Sequence, residues 1–242
     1  LRRILQADIM IESECFTGLS GPFLGFQDPF LAKIQEKLDA GERLDHDDGI
    51  RMFRTPDLLG LGWLANRVRE QLHGNKTYFN INRHINYSNI CVTRCKFCAF
   101  ARLPSDTEGQ WEYSLEEIFD KAINDMPPGG NELHIVGGLN PSRPFSYYLD
   151  MLRGLKERLP DVHIKAFTAV EIVHFARIAG KGREGDEGIR WVIQALRDAG
   201  LGSLPGGGAE VFDDRVHAET HRTKISGDRW LDVHRIAHEE GL

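Results

Sequence analysis

Cysteine is scarce: there are four in 242 residues, and three of them fall together in Cys91-Val-Thr-Arg-Cys95-Lys-Phe-Cys98. A disulfide framework wants an even number spread along a secreted chain, so this arrangement argues against one. Cys15 stands apart and reads as an incidental or buried thiol. No apolar run approaches the length of a membrane span, and Asp8, Glu12 and Glu14 interrupt any signal-peptide core. Lys and Arg nowhere form a dense cluster, and the net charge is −6, which gives no support for an electrostatic nucleic-acid or lipid surface. A cytoplasmic protein with no nucleic-acid or membrane partner is expected, and a hydrophobic content of 41% allows a sizeable core in one or two domains.

Two nucleotide motifs are also missing. Gly200-Leu-Gly202-Ser-Leu-Pro205 opens like a dinucleotide fingerprint but has proline where the third glycine belongs. Gly180-Lys-Gly182-Arg lacks the Gly-Lys-Ser/Thr ending of a phosphate loop.

Three sections are expected. Residues 1–27 have an aperiodic texture and stand apart as an atypical segment. Residues 28–76 form an N-terminal helical extension. Its first helix spans Pro29 to Ala40, with Phe30, Ile34 and Leu38 on one face. Its second is capped by Asp57, carries Leu61, Leu64, Ala65, Val68 and Leu72, and ends at Gly74. From residue 77 the period changes to an extended segment through Ile85 that runs into the cysteines. Beyond it, strand and helix alternate. A capping box at Ser114–Glu117 opens a helix through Met126. Glu132–Val136 is a strand, Phe145–Leu159 a helix, and Val162–Phe167 the next strand. Helices follow at Ile172–Ala179 and Ile189–Ala199, a fourth strand at Gly200–Leu204, and a last helix from Asp228. This alternation means βαβ crossovers and a parallel sheet. About four βα units are present, half of an eight-stranded barrel. The fold class expected is therefore α/β, a (βα) TIM-type barrel, with residues 77–242 as its N-terminal part, truncated and lacking C-terminal strands.

The cysteine loop carries the strongest chemistry. Thiolates are soft donors suited to iron–sulfur clusters and zinc. Three on one loop leave one iron of a [4Fe–4S] cluster open to an external ligand. Structural zinc would need a fourth ligand, for which His84 is available. A thioredoxin-like pair leaves Cys91 unexplained. Gly137-Gly138, after the second strand, admits close backbone approach or a simple tight turn. Glu210, behind Gly206-Gly-Gly208, is a cofactor contact or a helix cap. Lys165, Thr168 and Glu171, at the third strand end, are substrate contacts or a solvated strand edge with a first-turn carboxylate. His46, His73, His217, His221 and His238 read as surface residues; His134 and His163 read as structural. His84, beside the cysteine loop, is the candidate catalytic histidine.

Cys91, Cys95, Phe97 and Cys98 resemble the Cys-x3-Cys-x2-Cys signature of the radical S-adenosylmethionine superfamily, with its aromatic before the last cysteine. The resemblance implies a partial or full (βα) barrel of the radical SAM kind with a [4Fe–4S] cluster on the loop after the first strand. It also implies S-adenosylmethionine as a consumed co-substrate, contacted by Phe97, Gly137, Gly138 and Glu210. Asn80-Ile-Asn82-Arg-His84-Ile-Asn86-Tyr-Ser-Asn89-Ile-Cys91 is similar to the group that makes menaquinone by the futalosine route and the deazaflavin cofactor. Glu132–Pro141, His163–Glu171 and Leu204–Glu210 resemble the aminodeoxyfutalosine synthase family within that group.

This second resemblance implies addition of the 5′-deoxyadenosyl radical to 3-[(1-carboxyvinyl)oxy]benzoate, giving aminodeoxyfutalosine. Arg83, Asn86 and Lys165 are then expected to meet the dianionic substrate, with Thr168 and Glu171 beside them. An electron donor such as flavodoxin or ferredoxin is implied as partner. Dehypoxanthine futalosine cyclase is the nearest rival, but a histidine and serine pattern is expected there in place of Lys165-Ala-Phe-Thr168. The deazaflavin-forming enzyme fits the triple glycine less well. A non-catalytic metal or electron-transfer module is the reading of another class; the strand–helix body and the lack of a fourth cysteine near the other three argue against it.

Overall fold

The computed structural model describes residues 25–242, so Cys15 and most of the segment expected over residues 1–27 lie outside the described residues. The chain divides into two compact units, one ending at Tyr78 and one beginning at Phe79.

Among its described residues the first unit holds three helices: α1 (Phe30–Asp39), α2 (His46–Phe53) and α3 (Leu58–His73). Leu31, Ile34 and Leu64 are buried together there. α2 is absent from the sequence expectation because it is short and contains Gly49. A reciprocal capping box between Asp45 and Asp48 starts it, satisfying two orphan donors at once. Asp57 caps α3 as expected, accepting from the Gly60 amide at 2.9 Å. Of the stripe expected on α3, Leu64 is buried while Leu72 is 70% exposed.

The second unit is built on a parallel sheet in the order β1 (Asn82–Ile85), β2 (Glu132–Ile135), β3 (His163–Ala166). The helices are α4 (Leu115–Asn124), α5 (Phe145–Arg158), α6 (Ala169–Ile178), α7 (Gly185–Asp198), α8 (Asp214–Thr220) and α9 (Gly227–Glu239). Side chains alternate between the two faces of a strand. Ile85, Leu133, Ile135, Ile164 and Ala166 form one face and are buried with Ile118, Tyr148, Leu152, Phe175 and Ile193 of the helices. Each large aliphatic side chain so buried contributes about 1.5–3 kcal/mol.

Several boundaries differ from expectation; α7, for one, begins at Gly185 and not at Ile189. The extended segment from residue 77 becomes a strand only at Asn82. The fourth strand, Gly200–Leu204, is reduced to a single parallel bridge between Ser203 and Lys165. The Gly202 amide donates to the Ile164 carbonyl at 2.9 Å, so the segment lies beside β3, where two glycines keep it from extending further. The last helix starts at Gly227, with Ser226 rather than Asp228 as its cap. Among the described residues no helix is long and apolar enough to cross a membrane.

Candidate active site

Parallel strands direct their C-terminal ends to one edge of the sheet, and the candidate residues gather on the loops there. The loop after β1 is organised by Asn89. Its side-chain Nδ2 donates to the Gly109 carbonyl at 2.8 Å, and its side-chain oxygen accepts from the Trp111 backbone amide at 2.8 Å. The Cys91 amide donates to Arg102 O at 2.8 Å, and the Val92 amide to Leu139 O at 3.1 Å, which joins the cysteine loop to the loop after β2.

Cys91 is buried, Cys95 half-buried and Cys98 exposed. The Cys91 Sγ lies 3.0 Å from Thr93 Oγ1. Burial pushes the Cys95 thiol up; the nearby Lys224 cation and a hydrogen bond with Thr93 pull the other way, and the neighbouring thiols raise it further. Among the described residues no three His, Cys, Asp or Glu side chains converge as one bare ion requires. A cluster asks for something else, one soft thiolate on each of several irons. Three cysteines on one loop, with a cation beside them, are a donor set that fits a [4Fe–4S] group. Zinc through His84 finds no support in the geometry, because the His84 ring meets His134 edge-on with centroids 5.0 Å apart and lies 3.3 Å from the Asn86 amide.

The glycine pair after β2 is tightly enclosed. A Cβ on Gly137 would come within 2.6 Å of the Tyr87 ring, and one on Gly138 would run into the Ile90 carbonyl. Gly138 thus lets the second loop lie directly against the backbone that precedes Cys91.

The face of the sheet opposite the core is polar. His84, His134 and Lys165 stand in register across β1, β2 and β3. Burial, then Lys165 and His84, hold the His134 imidazole below its ordinary value. Lys165 Nζ donates to Glu132 Oε1 at 2.6 Å, so its charge is compensated in place. Asn86, just past β1, donates to Val136 O at 3.0 Å. His84, Asn86 and Lys165 are therefore brought together. Arg83 is not: it alternates to the other face and pairs with Asp125 at 2.7 Å.

Glu171 is the first-turn helix carboxylate of the alternative expectation, with Thr168 as its partner. They form the reciprocal capping box of α6, and Glu171 is 1% exposed. Glu210 adopts a left-handed backbone, φ 61°, and its carboxylate takes Lys224 Nζ at 2.5 Å.

Several contributors to the site were not anticipated. Lys224, with a side chain only 11% exposed, lies 6.0 Å from the centre of the Phe97 ring. The Lys96 amide donates to Thr220 O at 2.8 Å, and the Arg94 amide to Thr223 Oγ1 at 3.3 Å. His221, expected on the surface, is 2% exposed and meets Phe97 edge-on at 5.7 Å. The end of α8 and the turn after it are thus seated on the cysteine loop. About 125 residues of chain separate these partners, and no spacing pattern spans such a distance.

Comparison with known proteins agrees with this geometry. The Radical SAM superfamily model matches residues 85–242. Aminodeoxyfutalosine synthase of Thermus thermophilus is 44% identical over 218 residues, covering 90% of this chain and 57% of that protein. Cyclic dehypoxanthine futalosine synthase of Halalkalibacterium halodurans is 33% identical over 212 residues, covering 86% of this chain and 55% of the other. The chain therefore spans about half the length of the curated relatives it matches. Among solved structures, HydG, a maturase of the [FeFe]-hydrogenase, superposes with a TM-score of 0.66 at 17% identity, over 88% of this chain and 45% of that one. At that identity the likeness speaks for the fold alone.

Proposed function

The chain belongs to the radical SAM superfamily, and from that premise we propose that it serves an aminodeoxyfutalosine synthase reaction. Members of the superfamily use a [4Fe–4S] cluster and S-adenosylmethionine. When bound and reduced, the cluster supplies the electron that splits the sulfonium into methionine and a 5′-deoxyadenosyl radical. In the proposed reaction that radical adds to the alkene of 3-[(1-carboxyvinyl)oxy]benzoate. The aryl group then migrates from the ether oxygen to the radical carbon. The C–COO bond breaks to leave a ketone, with the carboxylate lost as CO2 and one electron returned, and hydration of the CO2 gives bicarbonate.

The observation that carries the reading is the joining of two loops: Cys91, Cys95 and Cys98 sit on one, and Gly138 of the other lies against its base. In this reading the three thiolates hold the cluster. Phe97, edge-on to His221 and with its ring centre 6.0 Å from Lys224 Nζ, stands beside it. Backbone groups of Gly137 and Gly138 face the amino-acid part of S-adenosylmethionine, and Glu210 orients Lys224. On the sheet's polar face, Asn86, His84 and Lys165 meet the substrate carboxylates. Lys165 enters this role as an ion pair with Glu132, so it orients more than it neutralises. Arg83, Thr168 and Glu171 take no part in substrate binding. One-electron delivery falls to a carrier such as flavodoxin or ferredoxin.

The similarity of 44% to a synthase against 33% to a cyclic synthase favours addition over hydrogen abstraction. To test it, the anaerobically reconstituted protein is offered the enol-ether benzoate and dehypoxanthine futalosine in separate reactions. The proposal expects an adenosylated, decarboxylated product from the first and no cyclised product from the second. The reverse outcome refutes it.

A further inference from the structure

Among the described residues, Glu171 is the acidic side chain that sits wholly inside the junction of the three strand ends. Its Oε1 accepts from the Tyr87 hydroxyl at 2.7 Å and from the Gly137 amide at 3.1 Å. Its Oε2 accepts from the Thr168 amide and the Thr168 hydroxyl, both at 2.8 Å. Two of the four partners are backbone amides, which can only donate; burial pushes the Glu171 carboxyl up, and the four hydrogen bonds pull it back. A buried charge is retained only where such donors compensate it. Tyr87 follows β1, Gly137 follows β2 and Thr168 follows β3, so one carboxylate ties together the ends of all three strands.

The junction is also strained. Phe167, fully buried, has φ 63°, a left-handed conformation that is uncommon for an aromatic residue. Its ring lies between those of Tyr87, Tyr148 and Phe175. Strain of this kind persists where the surroundings over-determine it, and it concentrates at functional sites.

The two peptide planes flanking Gly137 are both fixed. Glu171 holds the amide of the first. The amide of the second, that of Gly138, donates to Ser88 O at 2.8 Å. A trans peptide points its carbonyl opposite to its N–H, so the Gly137 carbonyl is turned away from Ser88. Among the described residues it receives no hydrogen bond. Gly137 therefore presents an acceptor whose direction is set by Glu171 on one side and by the β1 loop on the other.

We propose that Glu171 is a positioning residue for S-adenosylmethionine, acting through Gly137: its carboxylate fixes the glycine so that the Gly137 carbonyl meets the ligand's ammonium group. This rests on the superfamily chemistry proposed above, and it deepens that reading by assigning a role to a residue that never touches the ligand.

The test uses Glu171→Gln and Tyr87→Phe in the cluster-reconstituted protein. It measures iron content, S-adenosylmethionine affinity, the change that S-adenosylmethionine makes in the EPR spectrum of the reduced cluster, and hydrogen exchange at the Gly137 amide. Glu171→Gln keeps its iron but binds S-adenosylmethionine about tenfold or more weakly, with a diminished EPR change, since the amide nitrogen of Gln cannot accept where a carboxyl oxygen does. Exchange at Gly137 accelerates by a similar factor, while the KM for the benzoate moves less than about twofold. Tyr87→Phe removes one donor of four and moves the same readouts less far; it decides the matter should Glu171→Gln fail to fold. A raised benzoate KM with unchanged S-adenosylmethionine affinity would make Glu171 a substrate contact and overturn the proposal. Unchanged affinity and unchanged Gly137 exchange would overturn it as well. If the wild-type protein binds no S-adenosylmethionine, the superfamily reading of the site is what fails. Gly137 exchange in the variants then decides whether Glu171 fixes the glycine at all.

Discussion

Single residues divide sharply between those visible in the linear order and those that only folding brings into play. The three cysteines were visible because their chemistry is local: one loop supplies every thiolate. Glu171 is visible too, as a substrate contact or a first-turn helix carboxylate, and the structure places it in the first turn of α6. A carboxylate in the first turn of a helix looks like an exposed contact, and nothing in the sequence says that Tyr87, 84 residues earlier, will close over it. Lys224 and His221 were missed for the same reason, as their approach to Phe97 depends on where α8 docks. Arg83 was misplaced through alternation: it neighbours His84 in sequence but faces Asp125 across the sheet. Gly138 gives a prediction at this scale. A Cβ there must displace the Ile90 backbone beside Cys91, so Gly138→Ala costs about 1–3 kcal/mol and lowers the iron bound per chain. Thermal unfolding and iron assay of the reconstituted variant check both parts; a fully loaded variant of native stability would contradict them.

Elements were most legible where capping chemistry is strong. Ser114 and Glu117 predicted the start of α4, and the reciprocal pair is present. Ser114→Ala should therefore cost about 0.5–2 kcal/mol in urea unfolding, with no change in cofactor binding. α2 was not read because its eight residues include a glycine and carry little periodicity, yet its acidic cap is anchored to Lys37 at 2.6 Å from Asp48. The first unit in fact rests on several such carboxylates. Hydrogen bonds from Thr55 and from the Phe30 amide hold Asp28 below its ordinary range. The Gly60 amide does the same for Asp57, ahead of the Asp28 and Gln27 amides. A depressed folded-state pKa adds stability above the unfolded value and loses it as pH falls through the folded one. Asp57→Asn should accordingly unfold at lower urea than wild type at pH 6, with the gap closing toward pH 3. A gap that stays constant between the two would show that the carboxylate charge plays no part.

Over the whole molecule, alternation of strand and helix was enough to foresee a parallel sheet with neighbouring strands in sequence order, because short βαβ connections leave few other topologies. The fourth strand was over-read: Gly200-Leu-Gly-Ser has the position of a strand but too few side chains to sustain one. The polar face of the sheet could not be inferred from apolar spacing, since strict alternation predicts which residues share a face and not what that face does. Its row of His84, His134 and Lys165 acquires meaning only beside the cysteine loop, at the edge where the superfamily carries out its chemistry.

The central claim is that this edge transfers an adenosyl group and does not merely release it. It is tested most directly with S-adenosylmethionine labelled in its adenosyl carbons, dithionite and the enol-ether benzoate, following the label by mass spectrometry against methionine formed. The account predicts label in a decarboxylated adduct, matched to methionine and abolished by Cys91→Ala. Label recovered only as 5′-deoxyadenosine would contradict it.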